Sequence, residues 1–441
     1  MKDPQPLPRQ YEDETLFALQ RSRRWTAGQV RAAASTLVLR HPHVVNLCTN
    51  RYYFLCGLTA ALAVRHTTLL PSSSAAEVVA DTIAAYGAAD VLDDATVSLA
   101  APPLATGPVR LPERDFTALI GHTSGSTGVP VAHCKTWSSL QATTALNAQA
   151  VRALLPPGAP RPWIVATVPC QHMYGMELAA LLPLMAGFAI HAGHPLFPAD
   201  IAQALSEVPA PRVLVTTPVH LRTLLRSGIR LPPVDVMVSA TAPLSRELAR
   251  DVETRFGSRL LEMFGSTETC VFATRRTATE DAWQPYPGVH LEPGAECTLV
   301  SAPWLEGVVT LQDVLEVRGD DRFLVVGRNA DLVDVAGKRA SLADLTARIA
   351  ALPGVEDVHV LQPGEPDGMG VRRVAALVVA PDSDPAALLD ALRASLDPAF
   401  LPRPLLIVEA LPRNAVGKIP RGEALRLLKE RAPRSGQPGP R

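Results

Sequence analysis

Apolar and polar positions along the chain fall into blocks that change period. From Val44 to Leu70 the pattern is apolar with small residues, which predicts a strand followed by a closely packed helix. Leu69-Leu70-Pro71-Ser72-Ser73-Ser74 reads as a loop ending in an N-cap, with a helix from about Ala75 to Tyr86 behind it. Short β-branched runs recur at Trp163–Val168, Arg212–Thr217 and Val234–Ser239, each followed by a turn signal and a helical stretch such as Leu244–Phe256. Strands alternating with helices predict a parallel α/β sheet.

The pattern changes after Gly327. A mixed-charge segment, 328–348, leads into βαβ-like stretches at Val355–Leu361, Arg373–Val379 and Leu405–Val408, which predict a smaller α+β domain of about a hundred residues. The expected division is a large domain over 1–327, a small domain over 328–430, and a disordered Pro-, Arg- and Gly-rich tail over 431–441. Residues 1–24 are polar and Pro-bearing, and are expected to form a weakly ordered lead.

Composition narrows the function classes. The 441 residues suffice for roughly three domain-sized units, and 47% apolar with 19% charged residues fits a large buried core. A net charge of -1 provides no electrostatic footprint for nucleic acid. The longest apolar run, Leu178 to Ile190, has 13 residues and contains Pro183 and Gly187, too short and broken to span a bilayer. Met1-Lys2-Asp3-Pro4 leads into no signal-peptide-like stretch, and the six cysteines show no close pairing. So few, unpaired cysteines lead to the expectation of a reduced cytoplasmic setting, and His191 and His194 have no partner motif for zinc. Of 42 basic residues only Lys2, Lys135, Lys338, Lys418 and Lys429 are lysines. Arginine cannot replace a compact ammonium where chemistry requires one, so each of these draws attention.

The strongest chemical signal is His122-Thr123-Ser124-Gly125-Ser126-Thr127-Gly128-Val129-Pro130, which follows the apolar stretch Phe116–Ile120. Glycines admit close backbone approach, and backbone N–H groups with hydroxyls can surround a phosphate. No Gly-Lys-Ser/Thr ends the loop and no Gly-x-Ser-x-Gly occurs in it, so it is neither a Walker loop nor a nucleophile elbow. Taken alone it reads equally well as an ordinary Ser/Gly turn.

This loop resembles the phosphate-binding loop of the adenylate-forming superfamily of acyl-CoA synthetases, luciferases and peptide-synthetase adenylation domains. Further matches follow in the family's order. Phe264-Gly265-Ser266-Thr267-Glu268 is similar to its aromatic-Gly-x-Thr-Glu motif, in which Thr267 would contact phosphate and Glu268 would hold magnesium. Asp313 matches the ribose-binding Asp, and Arg328 follows at the family's spacing of fifteen residues. Leu411-Pro412-Arg413-Asn414-Ala415-Val416-Gly417-Lys418-Ile419 matches the motif carrying the catalytic Lys, here Lys418. The resemblance covers about Val44 to Lys429. It implies a large layered α/β N-terminal domain with a reduced β-barrel part, since only 45 residues separate Glu268 from Asp313. A small mobile α+β C-terminal domain would rotate about the segment after Arg328.

The implied enzyme is an ATP- and Mg2+-dependent ligase that makes an acyl adenylate and passes the acyl group to a thiol. Thr123, Ser124, Gly125, Ser126, Thr127 and Gly128 would bind phosphate, while Ser239, Ala240, Thr241, Phe264, Gly265 and Ser266 would line the adenine site. His172, Met173, Tyr174, Gly175 and Thr217 would wall the acid pocket. Amino-acid-activating members place an Asp where His172 stands, so a plain carboxylic acid is expected. The short layout, with His133 to Lys135 and then Trp137, also resembles bacterial aryl-polyene ligases, which implies an aryl acid. The acceptor would be CoA or the phosphopantetheine of an acyl carrier protein. Arg421, Arg426, Lys429 and Arg431 offer such a carrier a docking face, or form a solvated helix surface.

Two departures leave a second reading open. The loop lysine expected after Pro130 is Val131, and the hinge acid aligns with Ala330, followed by Asp331. His133 and Lys135 are then either substitutes for the lost cation or helix-surface groups. A non-catalytic or weakly active nucleotide- or acyl-binding homologue is the alternative to the ligase.

Overall fold

The β-branched runs form strands, and the chain builds its sheets mostly by returning through helices. The computed structural model describes residues 12–71, 75–100, 115–124, 130–294, 297–319, 321–328, 332–335, 338–363, 373–393, 396, 398–414, 417 and 419–431. Among these, β1 (Leu16–Gln20) and β2 (Arg23–Thr26) precede α1 (Ala27–Thr36). β3 (His43–Asn46), α2 (Arg51–Ala63), β4 (Thr67–Leu70), α3 (Ala76–Ala85), β5 (Asp90–Leu92), α4 (Asp94–Ala100), β6 (Thr117–Ser124) and β7 (Pro130–Thr136) follow. The latter strands form a sheet in the order β5-β3-β4-β6-β7, parallel except for the closing β6–β7 hairpin.

After α5 (Trp137–Arg152) comes a second sheet. Its parallel centre is β8 (Trp163–Ala166), β10 (Arg212–Thr216), β11 (Val236–Ser239) and β12 (Arg259–Ser266). β9 (Ala189–His191) extends it on one side, with β1 and β2 beyond; β13 (Cys270–Arg275) and β14 (Gln284–Pro285) extend it on the other. Between β8 and β9 run a helical turn α6 (Met173–Gly175), a π-helical turn (Met176–Leu181) and α7 (Leu182–Met185). Most of the longest apolar run is thus a helical segment hydrophobic on all sides because it is buried on all sides. On one sheet face Val165, Leu214, Met237 and Leu260 pack against α8 (Pro198–Glu207), α9 (Pro218–Arg226) and α10 (Arg246–Phe256). These helices supply Ile201, Leu205, Leu221, Leu224, Leu248 and Val252, an apolar stripe at helical spacing.

Two expectations need correction. Residues 12–24 are not a loose lead: Phe17, Ala18 and Leu19 are buried, and β1 pairs in parallel with β9. Four consecutive apolar residues, Leu16 to Leu19, in a polar stretch gain enough from burial to recruit the segment to the sheet. The serine cap expected before α3 is also absent, because the capping position is Ala75, which makes no side-chain cap bond. Ser72–Ser74, residues 1–11 and the tail beyond 431 lie outside the described residues.

The chain packs as two units, residues 1–290 with 301–309, and 291–300 with 310–441. This division falls earlier than the boundary expected at 327/328. The strands β15 (His290–Pro293), β16 (Thr298–Ser301) and β17 (Val309–Leu311) are short, and sheets this small do not support a core alone. In the second unit β18 (Asp313–Val317) pairs with β19 (Phe323–Arg328), and β20 (Leu332–Val335) with β21 (Lys338–Ser341). α11 (Leu342–Ala350) leads to a sheet of β22 (Asp357–Leu361), β23 (Ala375–Val379) and β24 (Leu405–Ile407), with α12 (Pro385–Arg393) and α13 (Arg421–Arg431). β23 alternates: Ala376 and Val378 face Leu345, Ile349 and Leu392, whereas Ala375 and Leu377 face Ala424 and Leu428 of α13. Among the described residues no helix is long and apolar enough to cross a membrane.

The nine-stranded sheet carries the large unit, so cavities in its core should be costly. Leu214→Ala, at a fully buried β10 position, should cost ~2–5 kcal/mol in urea unfolding. Val38→Ala, on the exposed surface, should stay within about 0.5 kcal/mol. Equal effects would place the core elsewhere.

Candidate active site

The segments singled out in the sequence follow the carboxyl ends of strands, where open α/β sheets place ligands. Thr123 and Ser124 end β6, and Ser239 ends β11, ahead of Ala240 and Thr241. The 169–175 segment follows β8 and Thr217 follows β10. Phe264, Gly265 and Ser266 end β12, with Thr267 and Glu268 in the turn to β13. Gly125, Ser126, Thr127 and Gly128 form the connection between β6 and β7 and lie outside the described residues.

The β6–β7 strands meet the turn between β12 and β13. On β7 the side chains alternate, so Val131, His133 and Lys135 share one face, opposite Thr123, Gly121 and Leu119 of β6. His133 Nε2 lies 3.4 Å from Glu268 Oε1. The Lys135 ammonium, only 5% exposed, donates to the Glu268 carbonyl. Gly121 completes the contact: a Cβ there would stand 2.7 Å from the Thr267 methyl. His133 and Lys135 are therefore strand residues aimed at the motif acid, which corrects the helix-surface reading. Val131 itself is 48% exposed.

The tip carrying Glu268 is closely specified. A β-bulge falls between Phe264 and Gly265, and a Cβ on Gly265 would meet the Cys270 carbonyl at 2.2 Å. Cys270 adopts φ +59, uncommon for a residue other than glycine. Ser266 and Thr269 bond one another, and the Trp304 indole N–H donates to the Thr269 carbonyl at 3.2 Å. Burial alone would raise the Glu268 carboxyl, but the Ser266 hydroxyl, a backbone N–H and the charges of His133 and Lys135 prevail and hold it below the ordinary range. His133 moves down as well: burial, Lys135 and His122 disfavour the imidazolium and outweigh Glu268. Glu268 is thus an ionised, partly exposed hard-oxygen donor beside a hairpin of hydroxyls and glycines, which suits Mg2+ and phosphate.

Behind this lies a buried network that sequence reasoning missed. Glu177, in the π-helical turn, accepts from Asn147 Nδ2 at 3.0 Å and from the Val271 N–H at 3.2 Å. Asn147 Oδ1 in turn accepts from the Tyr286 hydroxyl at 2.8 Å. Burial pushes the Glu177 carboxyl up to about 7, against the Val271 amide, Asn147 and Lys135, which favour the anion.

The proposed acid-pocket segment is anchored at several points. Arg51, the fully buried first residue of α2, donates to the carbonyls of Ala166 (2.7 Å), Val168 (2.9 Å) and Gly193. Burial pushes the adjacent Cys170 thiol up to about 11 despite this guanidinium. Gln171 Nε2 donates to the Asn46 and Cys48 carbonyls. Met173 and Tyr174 are buried, with the Tyr174 hydroxyl on the Val238 carbonyl at 3.0 Å; His172 is partly exposed. Gly175 permits close approach, since a Cβ would stand 1.9 Å from the Pro169 carbonyl. Thr217 is fully buried and caps α9 by accepting from the His220 N–H. Ser239 Oγ is buried with no partner among the described residues.

The second unit brings together the two residues that sequence related only by spacing: Asp313 and Arg328 are direct cross-strand partners in β18–β19, with Asp313 buried. Arg413 makes a two-pronged bond to Asp357 on β22 (2.9 and 2.7 Å) and donates to the Gly417 carbonyl at 2.6 Å. Gly417 takes φ +79, a turn that glycine makes without strain. Lys418, Ala330 and Asp331 lie outside the described residues. The basic face of α13 is partly neutralised, because Arg426 pairs with Glu423 and Glu430, and Arg421 donates to the Gln362 carbonyl.

Comparison with known proteins agrees with this layout. The AMP-binding enzyme family matches residues 31–308, and the AMP-binding enzyme C-terminal domain matches 346–418. The chain is 29% identical over 305 residues to a 4-coumarate–CoA ligase of Halorhodospira halophila, covering 67% of this chain and 73% of that protein. It is 30% identical over 311 residues to one from Rhodobacter capsulatus, with the same coverage. Its fold matches the crystal structure of ATP-bound MatB from Rhodopseudomonas palustris with a TM-score of 0.78, at 19% identity, over 95% of this chain and 97% of that one.

The buried Glu177 carboxyl makes stability depend on pH. Folding raises its pKa from the ordinary 4.5 to about 7, so its stabilising contribution is complete below pH 4.5 and is lost as pH rises to about 7. Glu177→Gln should flatten that part of the pH–stability profile in denaturant unfolding. An unchanged slope would assign the dependence to another group.

Proposed function

The chain belongs to the AMP-binding enzyme family, the adenylate-forming superfamily its motifs resemble, and from that premise we propose that it is an acid–thiol ligase. It joins a carboxylic acid to ATP as an acyl adenylate, releasing pyrophosphate, and then transfers the acyl group to the thiol of CoA, releasing AMP. The observation that carries this reading is the meeting of the phosphate hairpin with the Glu268 turn through His133 and Lys135.

In the first half-reaction two anions must approach, so fixed donors and cations do most of the work. The β6–β7 connection, Gly125 to Gly128 with Thr123, Ser124 and Thr267, would receive the phosphates. Glu268 would hold Mg2+, whose bound charge neutralises phosphate oxygens. Lys418 would bridge the acid's carboxylate and the α-phosphate as a compact ammonium, delivered by a turn that Arg413 and Gly417 fix. Asp313, with Arg328 opposite, would take the ribose hydroxyls. Ser239, Ala240, Thr241, Phe264, Gly265 and Ser266 would border the adenine. In the second half-reaction the thiol's sulfur bonds to the acyl carbon and the bond from that carbon to the AMP oxygen breaks. The small domain would turn about the segment after Arg328 between the two halves.

An aryl acid is the favoured substrate class. His172 stands where an amino-acid pocket needs a carboxylate, and Met173, Tyr174, Gly175 and Thr217 are neutral. The two curated relatives, by name, act on 4-coumarate. CoA is favoured over a carrier protein because the acids flanking Arg426 already answer its charge. Val131 favours a second reading, a weak or inactive nucleotide-binding protein. ATP binding without turnover would select it.

ATP–pyrophosphate exchange across a panel of aryl and fatty acids should show turnover, highest with aryl acids. No exchange with any acid would overturn the ligase. Lys418→Ala should lose roughly 10²–10³-fold in exchange, the loss typical of removing one charge-stabilising donor, yet keep thioester formation from supplied acyl adenylate within a few-fold. Equal loss in both steps would refute the role given to Lys418.

A further inference from the structure

We propose that Lys135 is the positioning residue of the Glu268 site, setting the metal-binding carboxylate by holding that residue's own carbonyl. The inference rests on the ligase reading for what Glu268 does, and on this structure alone for how Glu268 is held.

Three observations carry it. First, a lysine 5% exposed is a costly component, since taking an ammonium out of water is far more expensive than a hydrogen bond to a carbonyl returns. A leucine on the same face of β7 would pack without that cost, so hairpin stability alone does not account for the residue. Second, its donor goes to the carbonyl of the residue whose side chain the site needs, in a turn between two strands. The next carbonyl, Thr269, is held by the Trp304 indole. Fixing two successive carbonyls fixes the peptide plane between them, and with it the direction in which the Glu268 side chain leaves the backbone. The turn needs such ties, because Cys270 at φ +59 and the bulge at Gly265 are conformations a free loop would relax. Third, His133 from the same strand face reaches the carboxylate, so β7 grips Glu268 at both ends. Gly121 opposite leaves the room for Thr267 that the grip requires.

The fold therefore places one of its few lysines at the base of the hairpin, behind the acid, while position 131 near the tip is a valine. Lys135 acts through Glu268, and its loss should appear where Mg2+ enters. Lys135→Met keeps length and removes charge and donor. ATP binding by calorimetry, with Mg2+ and with chelator, is compared with exchange rates and the thermal midpoint. In Lys135→Met the chelator arm should match wild type, and the gain in ATP affinity that Mg2+ confers should fall at least tenfold. Lys135→Arg should recover part of that gain. Adding Val131→Lys to Lys135→Met should not, because a charge near the tip leaves the Glu268 carbonyl free. If Lys135→Met fails to fold, Trp304→Phe removes only the neighbouring tie and should reduce the Mg2+-dependent gain several-fold. An undiminished gain in the folded variants, or full rescue by Val131→Lys, overturns the proposal. Wild-type protein with neither Mg2+-dependent ATP binding nor exchange overturns the ligase reading instead.

Discussion

The large unit holds two sheets, and its candidate site depends on the place where β6 and β7 of one touch the turn between β12 and β13 of the other. That contact is the grip of His133 and Lys135 on Glu268, with Gly121 giving way to Thr267. One stretch of chain supplies both sides of it. β7 carries the basic pair, and α5, which follows directly, carries Asn147, the residue that holds Glu177 under the Val271 amide. The start of β13 is thus fastened from below while Lys135 and Trp304 fasten the turn before it. The phosphate hairpin and the acid turn are consequently set against each other by short bonds rather than by the length of a loop.

Several buried polar groups surround this contact, and stability alone does not explain them. Arg51, Glu177, Glu262 and Lys135 are all buried, and apolar side chains of similar volume are often as stable in such places. What they share is position. Arg51 fastens carbonyls at and after the ends of β8 and β9, just before the Pro169–Gly175 segment, and Glu262 on β12, the strand that leads into the turn, binds Arg275 and Thr277. The polar cost falls on strands and helical turns that lead into the site.

Much of this architecture is legible in the sequence. The runs at 163–168, 212–217 and 234–239 are strands because near-continuous apolar residues suit strands covered on both faces, and the 244–256 stretch is helical by its spacing. The spacing of Asp313 and Arg328 becomes a cross-strand pair. What escaped has common causes. β1 was hidden because only four apolar residues, Leu16 to Leu19, mark it, among polar neighbours. β7 reads poorly as a strand because alanine, cysteine and lysine are weak strand formers, and without that strand the alternation of Val131, His133 and Lys135 has no meaning. Glu177 sits in an apolar run where one acid looks like a surface residue; only tertiary contact with Asn147 and Val271 explains it.

The second unit is ordered by the same means. Its sheet is covered on both faces, by Leu345 and Ile349 on one and Leu428 on the other, so β22 is a rigid base. Arg413 stands on that base through Asp357, and its other nitrogen holds the Gly417 carbonyl. A two-pronged guanidinium–carboxylate bond fixes direction as well as distance, which a lysine in place of Arg413 would not do. The chain's arginine excess therefore has a local use: Arg413 holds the Gly417 turn against β22. Arginine here positions a backbone carbonyl, and it does the same at Arg51. At Lys135 a lysine takes the positioning part, with its ammonium on the single carbonyl of Glu268.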